Sequence, residues 1–174
     1  MDDLSLSGLQ NLDLFSVGLA VAGIGVLGFA IFFNNRRSIT NRSFALLASA
    51  AILWSIVNYS SYQIHDPDIS FWTLRFVMFF AVWFAFTVFR LLYVFPRETL
   101  ELPRRPWFAL FSAVGLTSII TLTPLVFSEI AEISPEGRIL EIENGPGIFV
   151  FGAVVSFLNL GGVILLLKKV FILR

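Results

Sequence analysis

Residues 71–95 read FWTLRFVMFFAVWFAFTVFRLLYVF, a run whose only charges are Arg75 and Arg90. As a helix rising about 1.5 Å per residue it is ~37 Å long, enough to cross a hydrocarbon core of about 30 Å. It lacks the apolar–polar alternation of a membrane β-strand, so a helix is the reading. Four further runs have the same character: 14–33, 44–64, 107–127 and 148–167. Five of them in 174 residues leave almost no polar sequence to wrap a soluble core. The expected fold is therefore all-α, a polytopic helical bundle with five transmembrane helices forming one membrane domain over 1–174.

Composition agrees. Apolar residues make up 57% of the chain and charged ones 14%, with a mean hydropathy of +0.85, which does not suit a surface facing water. Twelve basic residues balance twelve acidic ones, leaving no field to attract nucleic acid, and no DNA or RNA partner is expected. The absence of cysteine excludes disulfides, thiolate metal sites and thiol catalysis. The start, Met1-Asp2-Asp3-Leu4-Ser5, is acidic where a secretory signal would be basic, so no cleaved signal peptide is read.

Lysine and arginine in short loops are retained on the cytoplasmic side, so their distribution gives an orientation. One set of connections holds Arg36, Arg37, Arg42, Arg97, Arg104, Arg105, Lys168, Lys169 and Arg174. The alternate set holds only Arg138, beside Asp2, Asp3, Asp13, Asp66, Asp68, Glu129, Glu132, Glu136, Glu141 and Glu143. The N-terminus is expected outside and the C-terminus in the cytoplasm, with 128–147 as an acidic outer loop.

Helices in lipid associate through close approach at small residues and through a few polar contacts. Gly18, Ala22 and Gly25 on the first helix, and Ala48, Ala51, Ser55, Asn58 and Tyr62 on the second, form such stripes; the second ends as a candidate pocket wall. Ionisable residues inside a span are functional candidates by default. Arg75 and Arg90 both lie near helix ends, where each can extend towards the headgroups. Arg75 can also pair with Asp66 or Asp68 beside Trp72. Pro124, with Thr121 and Thr123 nearby, predicts a kink in the fourth helix, and Asn159 with Gly161 and Gly162 predicts a close helix contact in the fifth. His65 is the only histidine, and one imidazole beside Asp66 and Asp68 is too little for a metal site. No catalytic triad, phosphate loop or two-histidine motif is present, so neither an enzyme nor a cofactor is expected.

The run Asn34-Asn35-Arg36-Arg37-Ser38, followed by Asn41-Arg42-Ser43-Phe44-Ala45-Leu46-Leu47 and Leu53-Trp54, resembles the start of the second helix in the seven-helix N-terminal sensor region of bacterial histidine kinases. Phe71-Trp72 with Arg75, ending in Tyr93-Val94-Phe95-Pro96, resembles its third helix. Gly145-Pro146-Gly147 leading to Leu167-Lys168-Lys169 resembles its fifth. The resemblance implies a bundle in the bacterial cell membrane that senses a stimulus and passes a conformational signal to cytoplasmic domains. The chain ends at Arg174, before any kinase core, so it either continues in a longer protein or works through a partner.

The expected function is a membrane-embedded sensory and signal-transducing module, with Trp54, Asn58, Tyr62, Asp66, Asp68, Trp72 and Arg75 as an outward-facing ligand cluster whose cation meets an anionic group. Expected partners are the lipid bilayer, a cytoplasmic kinase domain or separate partner protein, and a second copy of the chain. The alternative is a small transporter component or a structural subunit of a membrane complex, although no internal repeat marks a transporter.

Overall fold

The computed structural model describes residues 3–95, 104–134 and 139–172. Asp2, Arg97, Glu136, Arg138 and Arg174, which enter the charge pattern, lie outside the described residues. Five helices follow in order: α1 (Asp3–Asn34), α2 (Ile39–Gln63), α3 (Pro67–Val94), α4 (Arg104–Thr121) and α5 (Gly147–Ile172). Between α4 and α5 two strands, β1 (Phe127–Ile133) and β2 (Ile139–Asn144), pair antiparallel in an irregular register from Phe127–Asn144 to Ile133–Ile139.

The bundle is all-α as expected, and the hairpin adds a two-stranded element to 128–147, the segment read as an acidic loop. Its second strand, Ile139-Leu140-Glu141-Ile142-Glu143-Asn144, alternates apolar and charged residues from Leu140 onward, and Pro135-Glu136-Gly137 precedes it. Both are strand and turn signals, submerged in the charge of the loop.

Helix ends follow capping chemistry more closely than the limits of the apolar runs. The Ser38 hydroxyl accepts a hydrogen bond from Asn41 N, and α2 starts at Ile39, five residues before the predicted 44. Asn41 Nδ2 donates to Ile31 O at 2.8 Å and closes the α1–α2 turn. Asp66 caps α3, accepting from Ile69 N at 3.0 Å, and Pro67 takes the first helical turn, where its missing N–H costs nothing. The fourth helix ends at Thr121, not at 127. Pro124 cannot donate to Ile120 O, which instead accepts from Thr123 N at 3.0 Å and Thr123 Oγ1 at 2.7 Å. The expected kink is thus a termination.

α3 is the central element and packs on α2, α4 and α5, while α1 packs on α2 at the edge. The core lies where α3, α4 and α5 meet: Val82, Ala85, Phe86, Phe89, Val114 and Leu158. Trp83, Phe86 and Phe111 meet edge-on with centroids 5.6–6.0 Å apart, a favoured aromatic geometry. Thr117, Ser118 and Thr121 of α4 are buried, yet each hydroxyl bonds a carbonyl of its own helix, so this face enters the bundle without an unmet donor. Asn159 is exposed and likewise bonds Val155 O of its own helix, rather than crossing an interface. The glycines beside it do make the close contact: a Cβ on Gly162 would lie 3.0 Å from Leu92 Cδ1 and 3.4 Å from Phe89 Cα.

Four helices, with α1 counted from Leu12, are long and apolar enough to cross a membrane. Among the described residues α4 is not one of them, with 18 residues that begin Arg104-Arg105-Pro106. Large apolar side chains such as Phe15, Phe29, Phe108, Phe149 and Phe171 are mostly exposed, as expected of surfaces that face lipid.

Candidate functional site

The seven predicted residues all lie towards the end of the bundle that carries the hairpin, but they form two separate groups. Trp54, Asn58 and Tyr62 recur along one face of α2 and line a groove of about 340 Å³ against Asp13, Ser16, Val17 and Ala20 of α1. Ser55, Tyr59 and Gln63 complete its wall. Arg75, Trp72, Asp66 and Asp68 do not line it.

The groove exists because α1 and α2 approach closely at one end only. A Cβ on Gly28 would lie 2.7 Å from Ala48 Cβ, and one on Gly25 would lie 3.6 Å from Ile52 Cδ1. A Cβ on Gly18 would meet nothing within 4 Å. The helices are therefore tight at Gly28, and the hollow opens between them beside Val17 and Ala20. The predicted small-residue stripe makes contact at Gly25, while Ala22 is exposed. Trp54 links the groove to α3 by stacking on Phe84, with centroids 5.9 Å apart and planes 10° from parallel.

Arg75 is 6% exposed and its Nη2 donates to Phe127 O of β1 at 2.8 Å. Its guanidinium also lies over Phe71, 4.4 Å from the ring centroid, and Trp72, 5.0 Å. It therefore ties α3 to the hairpin rather than pairing with Asp66 or Asp68; Asp66 is occupied in capping α3. A buried cation held by a carbonyl and two ring faces is neutralised by dipoles and quadrupoles instead of by a carboxylate.

The opposite end of α3 is held as well. Lys169 Nζ of α5 donates to Leu92 O at 3.1 Å, to Tyr93 O, and to Phe95 O at 2.8 Å. Carbonyls in the last turn of a helix have no intrahelical partner, so a cation there satisfies them and favours the helix dipole.

Sequence reasoning missed Asp13, Ser16, Tyr59 and Gln63 of the groove, and Lys169. Asp13, Ser16, Val17 and Ala20 follow the three- and four-residue spacing of one helical face, which was the available signal. The contacts of Lys169 lie more than seventy positions away in the chain and leave no local trace.

No curated protein and no solved structure matches the chain. A family model described as the N-terminal 7TM region of histidine kinase matches residues 16–173. With this match over nearly the whole sequence, several helices apolar enough to span, and a groove and a tethered hairpin at one end, the chain is a multi-pass membrane sensor region belonging to the histidine-kinase N-terminal 7TM family.

Proposed function

We propose that the chain is a five-span sensory module of the bacterial cell membrane, with the N-terminus outside and the C-terminal end of α5 in the cytoplasm, where it acts on a kinase core or a partner protein. In this reading the groove and hairpin form the input, α3 carries the displacement, and α5 delivers it. The observation that carries it is the anchoring of α3 at both ends, by Arg75 to Phe127 O and by Lys169 to the carbonyls of residues 92, 93 and 95. A helix fixed at two ends moves with whatever moves either end, and Trp54 on Phe84 joins the groove to the same helix. The orientation is supported by nine basic residues on one set of connections against Arg138 on the other.

Lys169→Met removes the cation while keeping most of the apolar stem. In membranes containing the kinase core to which this region is coupled, the substitution is expected to change basal autophosphorylation by roughly threefold or more, equivalent to a bias of about 0.7 kcal/mol in a two-state equilibrium. Unchanged phosphorylation in a properly inserted variant would favour a structural-subunit role instead.

The orientation has its own test, because the chain contains no cysteine. Glu132→Cys is expected to react with a membrane-impermeant maleimide in intact cells, and Arg36→Cys only after lysis. The reverse pattern would invert the orientation, and labelling of both in intact cells would remove the five-span arrangement.

A further inference from the structure

The groove between α1 and α2 carries the opposite sign from the anionic-ligand cluster expected from sequence. Arg75 does not line it, and among the described residues the only formally charged one that does is Asp13. Ser16 turns its hydroxyl back to Asp13 O at 2.9 Å, leaving the carboxylate itself without a hydrogen-bonding or ionic partner among the described residues. Trp54, Tyr59 and Tyr62 supply three aromatic rings to the same hollow, and Asn58 and Gln63 supply amides. A carboxylate in a hollow lined by aromatic residues is the chemistry that recognises an ammonium group.

The lining is also graded along the helices. Asp13, Tyr62 and Gln63 stand at one end, and Ala20 and Trp54 at the other. Ala20 lies seven positions beyond Asp13 in α1, about 10 Å at the helical rise. A polar, anionic mouth above an apolar floor fits a molecule with a cationic head and an apolar body. The hollow, of about 340 Å³, accommodates a headgroup with the first part of its chain.

We propose that this groove binds the ammonium head of an amphiphile, with Asp13 as the counter-ion and Trp54, Tyr59 and Tyr62 as the ring wall. The proposal rests on the sensory reading only for what binding would signal; binding itself is measured separately. The same ammonium chemistry is offered by an aminophospholipid of the surrounding bilayer and by a free alkylamine, and these two sources can be distinguished.

The test uses the whole chain in nanodiscs of phosphatidylglycerol, a lipid without an amine, and follows intrinsic tryptophan fluorescence. Phosphatidylethanolamine is titrated into the discs in one arm, and dodecylamine is added from solution in the other. A saturable change is expected in at least one arm: the first alone identifies a lipid headgroup, and the second, with or without the first, admits a free amine. Asp13→Asn is expected to weaken the apparent affinity about tenfold, the size of one charge-assisted contact. Asp13→Glu should retain most of the affinity, and Trp54→Phe should remove most of the fluorescence change. Equal affinity in wild type and Asp13→Asn, or no saturable response in either arm, would overturn the proposal. Either result leaves the Lys169→Met phosphorylation test intact, so the ligand class and the sensory reading fail separately.

Discussion

Replacing Gly145 by alanine is expected to destabilise the chain by about 2–4 kcal/mol, within the range of large single-residue effects. A Cβ at this position would lie 2.2 Å from Leu125 O, 2.7 Å from Leu125 C and 2.9 Å from Pro124 O. All three are backbone atoms, so no side-chain rotation relieves the overlap. The segment cannot simply withdraw, because Gly145 N donates to Val126 O at 2.9 Å and Gly147 N to Leu125 O at 2.7 Å. These two bonds close the hairpin against the end of α4 and set the start of α5. Gly152→Ala is the control, since a Cβ there meets nothing within 4 Å and alanine favours the helix by up to about 1 kcal/mol. Denaturant titration in detergent micelles, followed by circular dichroism, should place the two variants on opposite sides of wild type. A Gly145→Ala midpoint equal to wild type would mean that the Gly145-Pro146-Gly147 turn is not held as described.

The fold was legible where one physical term dominates. Long apolar runs announce helices because an unpaired backbone has no alternative in an apolar surrounding, and each of the five runs falls largely on a helix. Their ends depend on single capping groups instead. Ser38 and Asp66 start α2 and α3 ahead of the apolar runs, and Pro124 stops α4 short of Phe127, although 125–127 are apolar. The hairpin was hidden because its strands are short and acidic, and the same acidity had already placed the segment in a loop.

The candidate site was half legible for a related reason. Trp54, Asn58 and Tyr62 share a face of α2 at helical spacing, and they do line one hollow. What lies opposite them is decided by which face of α1 turns inward, and lipid-facing and helix-facing positions are equally apolar there. Asp13 therefore read as one more outer charge rather than as part of a wall. Arg75 stands out in the sequence as a charge within an apolar run, but its partner is a backbone carbonyl, which every residue possesses and no sequence advertises.

Arg75→Met is expected to loosen the hairpin selectively. Met keeps an unbranched apolar stem of similar reach but loses the Nη2 donor to Phe127 O and the cation over Phe71 and Trp72. The hydrogen bond to a charged group contributes about 1.5–3 kcal/mol, and each ring contact about 0.5–1 kcal/mol or more. Against this stands the cost of keeping a guanidinium away from water, which the substitution relieves. For global stability these terms nearly offset, so the unfolding midpoint should move by no more than about 1 kcal/mol. For local opening they do not offset in the same way, because an arginine released from Phe127 O still sits on α3 and regains little solvation when the hairpin lifts. The opening free energy of the hairpin should thus fall by about 1.5–3 kcal/mol, which accelerates exchange of the paired amides of β1 and β2 by roughly 10- to 150-fold while leaving α3 and α5 protected. Arg75→Lys should fall between the two, since an ammonium keeps the charge but lacks the planar fork that reaches a carbonyl and lies over two rings together. Hydrogen exchange read by mass spectrometry decides it: acceleration confined to the hairpin places Arg75 as the tether between β1 and α3, whereas acceleration spread evenly along the bundle, or none at all, would remove that role.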